Sequence, residues 1–172
     1  LFDLLMGIVP IDQGALSWRG KTVSELKRLA AYMQQSDLLL PWLNLEDNAG
    51  LPAELAGVPA GQRTASVRAL FGKLGLAGYE NYLPSMVSGG MRQRCALART
   101  LMFARDLVLL DEPLSALDAI TRRQLQAILL LLQTEFDKSI LMVTHDVEEA
   151  LLLADDLEEL SAASSKDAST SL

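Results

Sequence analysis

The sequence predicts an α/β domain built around a mainly parallel sheet, and three observations carry that expectation. Leu107-Val108-Leu109-Leu110 and Ser139-Ile140-Leu141-Met142-Val143 are short apolar runs without polar alternation, the pattern of buried strands covered on both faces. Each gives way to a segment of helical periodicity, Ala119 to Phe136 after the first and Asp146 to Ala154 after the second. That βα rhythm belongs to parallel pairing. Each run also ends on polar residues, Asp111-Glu112 and Thr144-His145-Asp146, at the strand ends where α/β sheets present their ligand sites.

The preceding elements follow in order. Leu1, Leu4, Leu5 and Ile8 share one face of a short helix, stopped by Pro10 and the polar turn Asp12-Gln13-Gly14. Ala15 to Val23 reads as two short strands around Arg19-Gly20, and Ala30 to Met33 as another strand before an irregular loop from Gln34 to Trp42. From Asn44 to about Leu83 the pattern is helical, interrupted by Pro52, Pro59 and several glycines, which predicts two or three short helices. A helix is expected from Met91 to Phe103. The tail at 161–172 is small and polar and is expected to be disordered. The chain thus divides into core segments at 1–42 and 104–160, a helical subdomain at 43–103, and the tail.

Composition narrows the function classes. The 172 residues are half hydrophobic, enough for one domain with a sizeable core. A net charge of −7 argues against a nucleic-acid partner, which calls for a basic face. One cysteine and one histidine cannot build a closed metal site, and a lone Cys95 makes a reducing compartment the default. The longest apolar run, Ala127 to Leu132, falls far short of the roughly 20 residues of a membrane span. The start at Leu1 has no basic leader and falls within an amphipathic pattern, so a fragment is expected.

Three segments carry chemistry. Asp111 is suited to hold Mg²⁺, usually through water, and Glu112 to orient or deprotonate an attacking water; the alternative is a strand that ends in solvated acids. Ser88-Gly89-Gly90 opens a helix, where a hydroxyl, close backbone approach and free N–H groups make an anion site. The same residues also suit an ordinary serine cap. His145, the only histidine, is either structural or catalytic. Elsewhere Cys95 reads as a small buried hydrophobe, Arg92 and Arg94 as solvated or salt-bridged, and Glu148 and Glu149 as an exposed helix face. Trp18 reads as hairpin packing, and Trp42 either packs its loop or faces a partner.

Taken in order, these segments resemble the motifs of ABC transporter ATPase subunits. Ser88-Gly89-Gly90-Met91 resembles the signature, Leu107 to Glu112 the Walker B strand, Pro113 to Asp118 the D-loop, and Thr144-His145-Asp146 the switch histidine. Gln35, ahead of Leu39-Leu40-Pro41-Trp42, resembles the Q-loop glutamine. Met91 in place of the commoner glutamine resembles importers of the nitrate, sulfonate and taurine group. The stretch from Tyr32 to Trp42 is similar to that of hydroxymethylpyrimidine importers. The resemblance implies a P-loop NTPase-like fold with a helical signature subdomain, and ATP and Mg²⁺ as cofactors.

It also implies roles. Asp111 and Gln35 would attend the metal, Glu112 would be the general base, and His145 would meet the γ-phosphate. Ser88, Gly89 and Gly90 would grip ATP held by the opposite subunit of a homodimer, with Asp118 at that interface. The Gln35 loop would meet a transmembrane permease, placing the subunit peripherally at the cytoplasmic face of the cell membrane, without a span of its own.

The family's phosphate-binding loop, G-x-x-x-x-G-K-[ST], does not occur in the 172 residues. The only Gly-Lys-Thr, at Gly20-Lys21-Thr22, has Ala15 where the first glycine belongs and reads as a hairpin turn. The expectation is an N-terminally truncated chain, with the P-loop ending just before Leu1, that does not hydrolyse ATP as given. The alternatives are a non-catalytic interaction module and a soluble ABC ATPase. The unbroken run from Leu1 to Gln35 favours a transporter over the latter, since chromosome-type members interpose a coiled coil.

Overall fold

The computed structural model describes residues 1–115, 117–136 and 138–155. The expected tail at 161–172 and the acidic stretch 156–160 lie outside the described residues. In chain order the elements are helix α1 (Phe2–Leu5), strands β1 (Leu16–Trp18), β2 (Lys21–Val23) and β3 (Ala30–Met33), and helices α2 (Leu45–Leu55) and α3 (Ala60–Leu74). A 3-10 turn (Pro84–Met86) precedes α4 (Gly89–Leu101), β4 (Leu107–Asp111), α5 (Ala119–Phe136), β5 (Ser139–Val143) and α6 (Val147–Leu153). The apolar patterns therefore place the elements correctly. Only some bounds shift, with α1 shorter than the apolar face suggests and α4 beginning two residues earlier.

β3, β4 and β5 form a parallel sheet with β4 in the middle. Ala30 to Met33 pair with Leu107 to Leu110, and Leu107 to Asp111 pair with Ser139 to Val143. This register brings the carboxyl ends of all three strands to one edge. Side chains alternate along β4, so Val108 and Leu110 enter one apolar cluster with Val67, Phe71, Leu97 and Leu125. Leu107 and Leu109 enter a second cluster with Phe2, Leu26 and Ala30. The unbroken apolar run is therefore a strand with a core on each face. Burying each such leucine is worth about 1.5–3 kcal/mol. β5 corrects the expectation of a second fully buried strand. It pairs only with β4 among the described residues, and its Leu141 is left exposed.

Pro52 does not break α2, contrary to expectation. Leu45, Ala49 and Ala53 recur every fourth residue and are all buried, and this stripe carries the helix through the proline. The break comes at Gly57, whose φ of +77° ends the turn, with Pro59 at the start of α3. β1 and β2 pair antiparallel, with Trp18 opposite Lys21. Arg19 and Gly20 form the two-residue turn with φ of +47° and +77°, the left-handed geometry that hairpins prefer. Gly20-Lys21-Thr22 is thus a hairpin turn running into a strand and opens no helix.

The loop between β3 and α2 owes its shape to one residue. Asn48, fully buried in α2, donates its amide to the carbonyls of Leu40, Leu43 and Asn44 and accepts from the Leu40 N–H at 2.7 Å. A buried amide satisfied on both sides in this way fixes the backbone it touches.

Candidate functional site

The carboxyl edge of the sheet gathers one polar residue from the loop after each strand onto Glu112. Gln35, two residues beyond β3, donates Nε2 to Glu112 Oε2 at 2.8 Å. His145, two residues beyond β5, sets Nδ1 at 3.2 Å from Glu112 Oε1. Glu112 itself follows β4 with φ of +45°, a conformation that costs a non-glycine residue about 1–3 kcal/mol. Backbone bonds hold it there. Its N–H donates to the Val143 carbonyl at 2.9 Å, and its carbonyl accepts from the Ser115 N–H and hydroxyl. Strain held by this many contacts fixes the aim of a side chain.

Asp111 is held separately. The Tyr32 hydroxyl donates to Asp111 Oδ2 at 3.2 Å. Burial first, and then the adjacent carboxylate, pushes the Tyr32 phenol up to about 12, so it remains a donor at neutral pH. Among the described residues no group bonds Asp111 Oδ1. None of these residues encloses an ion, since no group of three or more His, Cys, Asp or Glu among the described residues could do so. What they fit is a cation that takes one or two protein oxygens and completes its shell with water and phosphate, the habit of Mg²⁺. Asp111 Oδ1 and the Gln35 Oε1 left over by the Nε2 bond are suitable donors.

The segment around His145 contains a correction. Glu149, expected on an exposed face with Glu148, is only 4% exposed, whereas Glu148 faces solvent. Its Oε2 accepts from the Thr144 hydroxyl at 2.8 Å, and its Oε1 lies 3.5 Å from Arg122 Nε. Arg122, on α5, also donates to the Leu117 carbonyl at 3.3 Å and reaches to 3.9 Å from Asp146. Asp146 caps α6 through the N–H groups of Glu148 and Glu149. His145 is thus flanked by Thr144 and Asp146, both anchored, while its own ring is largely exposed. Arg122 went unseen in the sequence, and Glu149 reads there as exposed. The signal that could have found them is the four-residue offset from Asp118 to Arg122, read together with the capping Asp146.

Ser88 does cap its helix, accepting the Met91 N–H on Oγ at 3.3 Å. The two glycines behind it differ. A Cβ on Gly90 would come within 3.0 Å of Thr121 Cγ2, whereas on Gly89 the nearest atom would be an Arg92 guanidinium nitrogen at 3.6 Å. Gly90 is small because α5 packs against it; Gly89 is exposed, with only the tip of the Arg92 side chain beside it. The helix they open is tied to both neighbouring loops. Arg92 pairs with Asp37 at 2.9 Å, and Arg99 donates to the Asp37 and Leu38 carbonyls at 2.6 and 2.7 Å. Gln93 donates to the Pro113 carbonyl at 3.3 Å. Arg94 donates to the Leu74 carbonyl at 2.9 Å. Cys95 is fully buried, and burial raises its thiol to about 12, so it is the inert hydrophobe expected.

A family model described as ABC transporter matches residues 1–115. The taurine import ATP-binding proteins TauB of Escherichia coli (strain K12) and Shigella sonnei (strain Ss046) are each 40% identical over 162 residues, which cover 94% of this chain and 64% of theirs. The chain therefore spans just under two thirds of the length of these curated relatives. Among solved structures, a dimeric post-hydrolysis state of the ATP-binding cassette MJ0796 bound to ADP and phosphate matches with a TM-score of 0.76. The match covers 88% of this chain and 71% of that one, and at 23% identity it shows the fold.

Asp118 takes the N-terminal cap of α5. It accepts the Ile120 and Thr121 N–H groups on Oδ1 and the Thr121 hydroxyl on Oδ2 at 2.7 Å. The Thr121 N–H, then its hydroxyl, hold the carboxyl below its ordinary value. A depressed value means stability that is present above the unfolded pKa and is lost as pH falls through the folded one. Asp118→Asn is therefore expected to melt below the parent at pH 7, the gap closing as pH drops below about 4. A thermal-melt series in which the gap is absent at pH 7, or persists unchanged to pH 3, would contradict this.

Proposed function

This chain belongs to the ABC transporter family, and from that premise we propose that it works in the ATP-binding subunit of an importer, coupling ATP hydrolysis to small-molecule uptake. The observation that carries the proposal is the convergence of Gln35 and His145 on the Glu112 carboxylate beside Asp111. Gln35 and Asp111 would hold Mg²⁺, which when bound neutralises charge on the phosphate oxygens. Glu112 is the general base, placed at the strand end so that its carboxylate receives the proton of the attacking water. Its present contacts use one lone pair on each oxygen, so a second on either remains for the water. His145, reaching outward from an anchored backbone, stabilises charge developing on the γ-phosphate.

Two chains act together in this reading. Ser88, Gly89 and Gly90 grip nucleotide held by the opposite subunit, with Asp118 beside that interface. Gly89 supports this, because an exposed glycine with only a flexible arginine tip beside it allows close backbone approach from outside. Divided by role, 1–42 and 104–160 form the catalytic core and 43–103 the helical subdomain that transmits closure. The subunit lies at the cytoplasmic face of the cell membrane, bound to a permease. No helix among the described residues is long and apolar enough to cross a membrane. The permease contact falls at a groove of about 270 Å³ that includes Tyr32, Gln34, Leu38, Leu55, Arg99 and Phe103. Leu38, Leu55 and Phe103 leave apolar surface exposed there, and Trp42 stands 71% exposed on the same loop.

In a form extended upstream with a phosphate-binding loop, Glu112→Gln is expected to cut steady-state hydrolysis at least a hundredfold, about 2.7 kcal/mol in barrier. ATP binding is retained, and light scattering shows an ATP-dependent dimer. Undiminished turnover would remove Glu112 from its role. At the groove, Leu55→Glu is expected to weaken association with the permease about tenfold, with nucleotide binding by the isolated subunit as the control for folding. Association at parental strength would place the contact elsewhere.

A further inference from the structure

The two acids at the end of β4 are held by different means. Glu112 is contacted by Gln35 and His145, residues from loops outside the sheet, whereas Asp111 is contacted by Tyr32, which lies within β3. Tyr32 pairs in register with Leu109, and Asp111 follows two residues later on the same face of the sheet. The tyrosine therefore leans along the strand direction to bring its hydroxyl to the carboxylate. Its ring is fixed from the other side by Phe2 of α1, edge-on with centroids 5.6 Å apart and planes at 71°. The ring packs against the apolar cluster of Phe2, Leu26 and Leu109, which a phenylalanine would serve equally, so the hydroxyl is the part that packing does not call for. The remaining residues of β3 are Ala30, Ala31 and Met33, all buried and all apolar. Tyr32 is the one position in the strand with a polar tip, and that tip meets Asp111.

We propose that Tyr32 is a positioning residue for the metal-binding carboxylate: by holding Asp111 Oδ2 from within the sheet, it fixes the carboxylate plane and presents Oδ1 to the cation. The inference rests on the assignment of Asp111 to Mg²⁺ and adds the group that aims it. Donors to a ligating carboxylate govern metal affinity through orientation, and their loss commonly costs 10- to 100-fold. The Phe2 contact further links the aim of Asp111 to the helix that begins the chain.

Tyr32→Phe keeps the ring, its packing on Phe2 and the apolar core, and deletes only the hydroxyl. The probe is Mn²⁺, followed by electron paramagnetic resonance in the upstream-extended form at saturating ADP, so the readout is equilibrium binding and involves no turnover. Tyr32→Phe is expected to weaken Mn²⁺ about tenfold, with metal-free ADP affinity unchanged within about twofold. Asp111→Asn is measured alongside. Mn²⁺ affinity that is unchanged or tighter in Tyr32→Phe, while Asp111→Asn weakens it, overturns the role of Tyr32 and leaves Asp111 as the ligand. Affinity unchanged in both variants overturns the Asp111 assignment and this inference with it. A loss of metal-free ADP affinity that accounts for the whole effect makes Tyr32 a packing residue and also overturns the proposal.

Discussion

The parallel register of β3, β4 and β5 is the constraint on which the rest of the site depends. Pairing Met33 with Leu110 and Asp111 with Val143 brings three strand ends level, so that Gln35, Glu112 and His145 meet without any long side chain having to stretch. A slip of one residue in β4 would exchange its faces. Leu107 and Leu109 would trade places with Val108 and Leu110 in the two apolar clusters, and Asp111 would turn away from Tyr32. All four side chains are apolar, so what the exchange costs is their fit in two close-packed clusters and the Tyr32–Asp111 bond. The chemistry at the sheet edge thus depends on packing several residues away from it.

A second layer of contacts links this edge to the helical part of the chain. α4 carries Ser88 and the two glycines at its start, and its later turns reach both loops of the site. Arg92 and Arg99 hold the Asp37-Leu38 segment, and Gln93 holds the backbone just after Glu112. Leu38 has φ of +46°, so the two short bonds from Arg99 secure a backbone conformation that leucine disfavours. Movement of α4 would therefore pull on the loop carrying Gln35 and on the strand exit carrying Glu112 together. This is a physical route by which events at the proposed dimer face or permease contact could reach Glu112.

Much of this was legible in the sequence, because the strongest signals were local. β4 could be read from four consecutive apolar residues, Glu112 and His145 from their places after strands, and Gln35 from its resemblance to a known loop motif. The contacts among them could not, since a bond between residues 77 positions apart depends on register. Tyr32 shows the limit clearly. In sequence it is one aromatic residue in a short strand, and only the pairing with Leu109 reveals that its hydroxyl reaches Asp111. Glu148 and Glu149 are indistinguishable as neighbours in sequence, yet helical phase turns one to solvent and the other to Arg122 and Thr144. Pro52 misled for a similar reason, because a buried stripe outweighed the local preference of proline to end a helix.

In the proposed reading the sheet edge supplies the general base, the metal carboxylate and the γ-phosphate contact, and Gly20-Lys21-Thr22 supplies no cradle for phosphate. Titration calorimetry with Mg-ATP tests this most directly, on the 172-residue chain and on the same chain extended upstream with a G-x-x-x-x-G-K-[ST] segment. Binding by the extended chain alone is the expected result. Tight binding by the 172 residues unaided would contradict it and return the hairpin turn to consideration; failure of both to bind would contradict the placement of the site itself.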